Sequence, residues 1–425
     1  MLAKVILTII FLLTISSYAQ QEIFSVQKKL SDPVYYKDFF NFVSNKSGQT
    51  KVDIFIQVPY KNVQFINLDK GLTAKYSVTV SIYDSSKSLL IVEKTWNETI
   101  VVDDYNIATS KDNYNLSKKS FYLKPGPYLI RTDLEDLDSH KKSTSENIFD
   151  VKDLSGEISL SDIIMATIPD TLTTNTIIPN ISRNISSSKK GLRIYFEINS
   201  MDSVSKGMYV EYKVKDAENV IFQIEKKYDI KQGINQLVYD FPDTTFDLGA
   251  YSVSVTLIDD NLKSIASSSK TFYAQAKGLP TIITDIDKAI KQTMYIATPD
   301  EIDYMEEGKD QTEKTKRFLE FWKKKDPSPN NEENEIFDEY YGRVAYANAN
   351  FSNYREGWIS DRGMVLILLG VPNNVDRHPF EYDSKPYEIW EYYNLNKSFI
   401  FLDESGFGDY RLMTPLTGDL YRYRY

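Results

Sequence analysis

The sequence has 425 residues, 50 basic and 60 acidic side chains, a formal net charge of −10 and no cysteine. The negative charge argues against binding to nucleic acid or to an anionic membrane surface, because both require a basic patch that faces phosphate. Without cysteine the chain can form neither disulfides nor thiolate zinc sites, so its domains must be stabilised by packing alone.

The first 19 residues predict a secretory signal peptide. Lys4 precedes the mostly apolar stretch 5–15, and residues 17–19 form a small-x-small cleavage signal. The apolar stretch is well short of the ~20 residues of a membrane-spanning helix, and no later segment comes near that length. We therefore expect an exported chain without a transmembrane span, located in the periplasm or at the cell envelope or surface of a bacterium.

Residues 50 to 275 predict strands. Short runs in which apolar and polar residues alternate are separated by turn-forming clusters of Gly, Pro, Asn, Asp and Ser. Examples are KVDIFIQVPY, KYSVTVSIYD, LRIYFEIN and GAYSVSVTLIDD. This pattern is typical of antiparallel sandwich-like domains.

An internal repeat predicts that this β region is duplicated. The segment that begins at Gly126 aligns with the segment that begins at Gly249, at an offset of 123 residues. Further aligned pairs are Tyr128 with Tyr251, Leu134 with Leu257, Asp136 with Asp259, and Phe149 with Phe272. Upstream, YDSSKSLLIVEKTW aligns with VKDAENVIFQIEKKY at an offset of 132, so the first copy should carry about nine extra residues, which we place in the loop around VVDDYNIATSKDNY.

After Pro280 the apolar residues are spaced at three and four, which predicts helices. Thr298, Pro299 and Glu301 form the start of one helix, as N-cap, first helical residue and capping-box residue. A second helix is predicted over NEIFDEYYGRVAYANANF, and three strands over MVLILLG, YEIWEYY and SFIFLDE. The C-terminal domain is therefore predicted to be α+β, with helices first and a small antiparallel sheet second.

The predicted fold class is multidomain, β followed by α+β. Two tandem antiparallel β-sandwich-like domains should occupy residues 20–151 and 152–278 after the signal peptide at 1–19, and the α+β domain should occupy residues 279–425.

The sequence resembles a known family in its last third. The segments FWKKKDPSPNNEENEIFDEYYGRVAYANANF, GWISDRGMVLILLGVPNNVDRH and YEIWEYYN to FIFLDESGFGDYRL are similar to the GWxTD domain of bacterial envelope proteins, over residues 281 to 413. Ser360 stands where the family usually has threonine. The resemblance implies export and an α+β terminal domain, but no established reaction.

The motif GWISDRG is the main candidate site, and we interpret it as a structural corner. Its residues of interest are Gly357, Trp358, Ser360, Asp361, Arg362 and Gly363. Ser360 and Asp361 should fold back onto backbone amides, and Gly363 should adopt a positive φ before a buried strand at 364–369. Arg362 should pair with a carboxylate. Candidate partners are Glu388, Asp403 and Asp409.

The alternative is a hydrolase of cell-wall or extracellular glycans or peptides, in which Asp361 acts as general acid or base with one of those carboxylates. His140 and His378 have no partners at metal-ligand or triad spacing, and common zinc, calcium and nucleotide motifs do not occur. We therefore expect no metal, no cofactor and no catalytic residue. The favoured prediction is a noncatalytic envelope protein that acts through protein or glycan binding.

Overall fold

The computed structural model describes residues 34–68, 71–110, 113–167, 177–186, 191–216, 219–241, 246–275, 279, 283–328, 334–379 and 384–414. These residues form two compact units, one of residues 34–275 and one that begins after residue 275. The predicted signal peptide lies outside the described residues. The architecture is mostly β, with antiparallel sheets followed by a helical region and a small antiparallel sheet.

The first half of the unit 34–275 is a two-sheet β-sandwich. Its strands are β1 (Tyr36–Phe42), β2 (Thr50–Pro59), β3 (Ile66–Leu68), β4 (Gly71–Asp84), β5 (Leu90–Val102), β6 (Tyr114–Leu123), β7 (Gly126–Asp136) and β8 (Lys142–Val151), with a short helix α1 (Tyr105–Ala108) after β5. One sheet has the order β1-β2-β6; in the other β4 pairs with β5 on one side and with β3 and β7 on the other, and β7 pairs with β8. The alternating apolar residues of both sheets point inward and form one core.

The second half repeats this plan. Its strands are β9 (Ile158–Leu160), β10 (Ile164–Ala166), β11 (Asn184–Ser186), β12 (Arg193–Ser200), β13 (Lys206–Asp216), β14 (Asn219–Ile230), β15 (Gly233–Asp240), β16 (Gly249–Ile258) and β17 (Ser264–Gln275). One sheet has the order β10-β12-β15 with β9 also on β12, and the other has the order β11-β17-β16-β13-β14. Strand β11 pairs in parallel with β17, and the other pairs are antiparallel. A separate core lies between these two sheets.

The two sandwiches share details that follow from the sequence repeat. The strand order β5-β4-β7-β8 of the first sandwich corresponds to the order β14-β13-β16-β17 of the second. Tyr128 faces Phe149 across β7 and β8, as Tyr251 faces Phe272 across β16 and β17. Each tyrosine hydroxyl donates to the carbonyl oxygen four residues upstream, at 3.0 Å for Tyr128 and 2.8 Å for Tyr251. These bonds resemble the tyrosine corner of immunoglobulin-like sandwiches.

The extra residues of the first copy do not all lie in the loop after β5. Tyr83 pairs with Leu90, whereas its counterpart Lys215 pairs with Val220, so the first hairpin is already two residues longer. The sequence prediction placed all of the insertion later because it kept a single offset through the hairpin. The remaining difference lies between β5 and β7, a region that includes helix α1.

The second unit begins with helices and ends with a four-stranded sheet. Its elements are α2 (Ile286–Gln292), α3 (Pro299–Glu306), α4 (Gln311–Lys324), α5 (Glu335–Phe351), α6 (Asp361–Leu369), β18 (Asn374–His378), β19 (Tyr387–Tyr392), β20 (Lys397–Asp403) and β21 (Tyr410–Leu412). The sheet order is β18-β19-β20-β21, all antiparallel. Single 3-10 turns occupy residues 293–295, 357–359 and 393–395.

The predicted start of α3 is confirmed. The Thr298 hydroxyl accepts from the Glu301 N–H, and the Glu301 carboxylate accepts from the Thr298 N–H at 2.8 Å, which is a complete capping box. Aromatic side chains then join α4 to α5: Phe318 and Trp322 pack on Phe337 and Tyr341 with ring centroids 4.8–6.1 Å apart. This cluster is the core of the helical region.

One predicted strand is wrong. Residues 364–369 belong to helix α6, which runs from Asp361 to Leu369 with Ser360 as its N-cap. Val365, Leu366, Ile367 and Leu368 are all buried, so the helix is covered on most of its circumference. A short helix covered in this way has a continuous apolar sequence, which cannot be told from a buried strand by periodicity.

Candidate functional site

The motif 357–363 forms a corner between helices α5 and α6, and Gly357 makes the closest approach. A Cβ atom at this residue would lie 1.8 Å from the carbonyl oxygen of Ala347 in α5. The Gly357 N–H donates to the Ser352 hydroxyl at 2.9 Å. Only glycine allows the two backbones to approach this closely.

Trp358 is buried and held by contacts on all of its polar groups. Its backbone N–H donates to the Asn348 side-chain carbonyl at 3.1 Å, and its carbonyl oxygen accepts from the Tyr295 hydroxyl at 3.0 Å. The indole N–H donates to the Glu356 carboxylate, which also pairs with Lys288 at 2.7 Å. The Lys288 ammonium holds the pKa of Glu356 below its ordinary value of 4.5, with the indole N–H adding to the effect against the opposing effect of burial.

Ser360 and Asp361 both act on backbone groups. The Ser360 hydroxyl accepts from the Gly363 N–H at 3.0 Å and donates to the Gly357 carbonyl oxygen at 2.6 Å, so it caps α6 and closes the preceding turn. The Asp361 carboxylate accepts from the Leu412 N–H of β21 at 2.7 Å. Asp361 therefore connects the first turn of α6 to the edge of the sheet.

The expectation of a positive φ at Gly363 is wrong, but the position still requires glycine. Gly363 lies in the first turn of α6 and is absent from the described glycines with positive φ. A Cβ atom here would lie 2.0 Å from the Gly357 carbonyl oxygen. The requirement is close backbone contact rather than backbone conformation.

Arg362 reaches the buried carboxylate of Glu388. The guanidinium lies 3.2 Å from that carboxylate and also lies over the ring of Phe351, at 4.7 Å, and over the ring of Tyr410, at 4.1 Å. Glu388 also contacts Arg377 at 3.5 Å and accepts from the Trp390 indole at 3.0 Å. The side chains of Arg362 and Glu388 are 12% and 8% exposed, so the pair is largely removed from solvent.

Asp403, the second carboxylate named from the sequence, organises the loop between β20 and β21. It accepts from the backbone N–H groups of Ser405, Gly406 and Gly408, at 3.2, 2.9 and 2.6 Å. Burial raises the pKa of this carboxyl, but the hydrogen bonds, that of Gly408 first, outweigh it and hold the pKa below 3.8. The SGFG segment is thus a turn, with positive φ at both glycines.

Asp409 belongs to a separate, more exposed group. It accepts from the Tyr354 hydroxyl at 2.9 Å and pairs with Arg411 at 2.8 Å. Burial raises its pKa, but these two partners outweigh that effect and lower the pKa overall. The structure therefore brings Arg362 to Glu388 and gives Asp361, Asp403 and Asp409 different partners.

This corner lies within the part of the sequence that matches a known family. The GWxTD domain family model matches residues 257–409. The chain therefore contains a GWxTD domain at these residues. The match starts earlier than the segments that resemble the family by inspection, since it also includes β17 and the end of β16.

No curated protein matches the GWxTD protein significantly. Solved structures that resemble it include red sea bream transglutaminase, with 13% identity, a TM-score of 0.18 and coverage of 57% of this chain and 32% of that one. Another is Bacteroides uniformis β-glucuronidase, with 11% identity, a TM-score of 0.22 and coverage of 53% of this chain and 26% of that one. The GWxTD protein spans about a quarter to a third of the length of these enzymes, and likeness at this level carries no argument about function.

Each of the two histidines has a nearby acidic residue of its own. His378 lies 3.0 Å from Asp376 and stacks on the ring of Tyr387, whereas His140 lies 3.9 Å from Glu135 in the first sandwich. Across the described part of the GWxTD protein, no group of three or more His, Asp or Glu side chains is placed to hold a metal ion. The same described residues include no helix long and apolar enough to cross a bilayer.

Sequence reasoning missed Arg343, which supports the corner from α5. Its guanidinium donates to the Ile367 carbonyl oxygen at 2.9 Å, near the C-terminal end of α6, and also contacts Glu339. The adjacent Gly370 has φ 79°, and a Cβ there would lie 3.1 Å from the guanidinium. An arginine among the buried residues of a helix was the signal, because such a charge needs a partner.

Proposed function

We propose that this chain is an exported, noncatalytic protein of the bacterial cell envelope that acts by binding protein or glycan. In this proposal the GWISDRG motif builds a rigid corner that keeps the terminal unit folded. The supporting observation is that the polar side chains of the motif are engaged with structural partners: Ser360 with backbone groups, Asp361 with the Leu412 N–H and Arg362 with Glu388.

The alternative hydrolase requires two carboxylates that face a common substrate. Asp361 accepts a backbone N–H, Glu388 is enclosed by two arginines and an indole, and Asp403 holds a loop. A general acid needs a raised pKa, whereas the pKa values of Asp403 and Asp409 are lowered. These environments argue against the hydrolase.

Export rests on the predicted signal peptide, which lies outside the described residues. If the proposal holds, the intact mass of the protein from its native host will correspond to a chain that starts at or near Gln20. A mature protein that retains Met1 would contradict export.

The catalytic question is tested by screening the mature protein on cell-wall glycans and peptides. We expect no turnover above background with the wild type or with Asp361→Asn. Asp260→Asn is the matched control, since Asp260 is an exposed sandwich residue whose only described ion pair is to Lys227 at 3.8 Å. Turnover that Asp361→Asn abolishes and Asp260→Asn preserves would overturn the noncatalytic proposal.

A further inference from the structure

Strand β5 is the edge of its sheet and exposes apolar side chains at both ends. It pairs with β4 over its whole length, and no second strand pairs with it among the described residues. Leu90 and Ile91 at its start are 46% and 44% exposed, and Val101 near its end is 48% exposed. An edge strand presents unpaired N–H and C=O groups, so a long one with apolar ends is a template for another strand.

The sequence of β5 is complementary to itself in the antiparallel direction. When two β5 strands lie side by side with a two-fold axis between their Trp96 residues, each residue before Trp96 in one copy faces the residue equally far after Trp96 in the other copy. Lys94 then faces Glu98 of the second copy, so each such contact joins opposite charges. The apolar residues also meet: Val92 faces Ile100 of the second copy, and Leu90, Ile91, Val101 and Val102 lie at the two ends of the paired segment.

From this we propose that two copies of the protein associate through their β5 strands, so that the two five-stranded sheets become one continuous sheet across a two-fold axis. The new ladder runs from Val92 to Ile100, because Leu90 pairs with Tyr83 and Val92 with Ile82, which leaves Ile91 as a bulge that ends the regular pairing. The apolar residues beyond it pack at both ends of the ladder. Such an interface is isologous and closes at two copies.

The equivalent strand in the second sandwich provides the contrast. Strand β14 is also an edge strand, and Val220, Ile221 and Ile224 are exposed, but all three lie in its first half. A two-fold axis that joined these side chains would lie near one end of the strand, where few residues could pair. The distribution of exposed apolar residues thus selects β5 for self-association.

Charge exchange tests the pairing in the full mature chain by sedimentation equilibrium. Lys94→Glu and Glu98→Lys each place like charges opposite one another at both symmetric contacts, and each should weaken the dimer about tenfold. The double variant Lys94→Glu with Glu98→Lys should restore the wild-type dissociation constant, which also shows that the single variants are not simply misfolded. The matched control Glu225→Lys on β14 should leave the dissociation constant unchanged.

Cysteine cross-linking tests the register, because the chain has no native cysteine. Thr95 of one copy should face Asn97 of the other, so a mixture of Thr95→Cys and Asn97→Cys chains should form an intermolecular disulfide under mild oxidation. Glu225→Cys mixed with Lys227→Cys, at the same spacing on β14, should not. Two results would overturn the proposal. One is a wild-type protein that stays monomeric at about 100-fold the detection limit of the assay. The other is a dimer whose dissociation constant changes with neither single charge reversal.

Discussion

The two units of the protein achieve stability in different ways. The sandwiches use one plan twice, with alternating strands, matching strand order and a tyrosine bond at the same place. The corner of the terminal unit is built once, around residues 357–363, from two glycine contacts, one helix cap and one buried ion pair. Distributed apolar burial tolerates many single changes, whereas a corner of unique contacts does not.

The largest effect is expected at Gly363. Gly363→Ala should destabilise the terminal unit by about 4 kcal/mol, because the Cβ would lie 2.0 Å from the backbone carbonyl oxygen of Gly357. Denaturant unfolding followed by tryptophan fluorescence suits this test, since Trp322, Trp358 and Trp390 lie in this unit and only Trp96 lies elsewhere.

Gly342→Ala is the matched control for this substitution. Gly342 lies inside α5, and a Cβ there would have no neighbour within 4 Å. We expect it to stabilise the unit by about 0.5 to 1 kcal/mol, the ordinary gain of alanine over glycine in a helix. If the two alanine variants unfold alike, close backbone contact is not what Gly363 provides.

The next effect concerns Arg362. Arg362→Ala should cost about 3 kcal/mol, because it removes the guanidinium that contacts two rings and leaves Glu388 buried with a weaker set of partners. Arg411→Ala, which removes a half-exposed partner of Asp409, should cost no more than about 1 kcal/mol. If the two variants lose the same unfolding free energy, measured by tryptophan fluorescence, burial of the Arg362–Glu388 pair does not determine how much it stabilises the unit.

Much of this architecture is predictable from the sequence. Alternation locates the sandwich strands, and the spacing of Thr298, Pro299 and Glu301 locates the start of α3. The strand predicted at 364–369 is a helix because a fully apolar run carries no period, although Ser360 two residues before Arg362 and Gly370 after Leu369 mark its ends. The pairing of Arg362 with one carboxylate among three, and the contact at Gly363, depend on tertiary positions that no local pattern encodes.

A smaller effect should appear in the repeated region. Tyr128→Phe and Tyr251→Phe each remove one hydrogen bond to a carbonyl oxygen, so each should cost about 1 kcal/mol. Circular dichroism of the β signal during denaturant unfolding would measure both. Similar losses would support the equivalence of the two sandwiches, whereas a loss at only one tyrosine would break the comparison.

The second sandwich should also lose stability at alkaline pH. Burial, with Asp216 and Asp247 adding to it, raises the pKa of Tyr251 from 10.0 to about 12. The folded state therefore favours the neutral phenol, and the stability this provides is present below pH 10 and lost as the pH rises through about 12. The decline in unfolding free energy over this range should be shallower in Tyr251→Phe, and an unchanged decline would assign the response to other groups.

Hydrogen exchange at the Leu412 amide tests the structural role of the motif most directly. This N–H donates to the Asp361 carboxylate, whereas the next amide, of Met413, donates to the Ile400 carbonyl oxygen. In Asp361→Ala the Leu412 amide should lose its protection while Met413 keeps its own, because only the first bond depends on the motif. Equal protection of Leu412 in the wild type and in Asp361→Ala would contradict the account of GWISDRG as a corner that holds the sheet to helix α6.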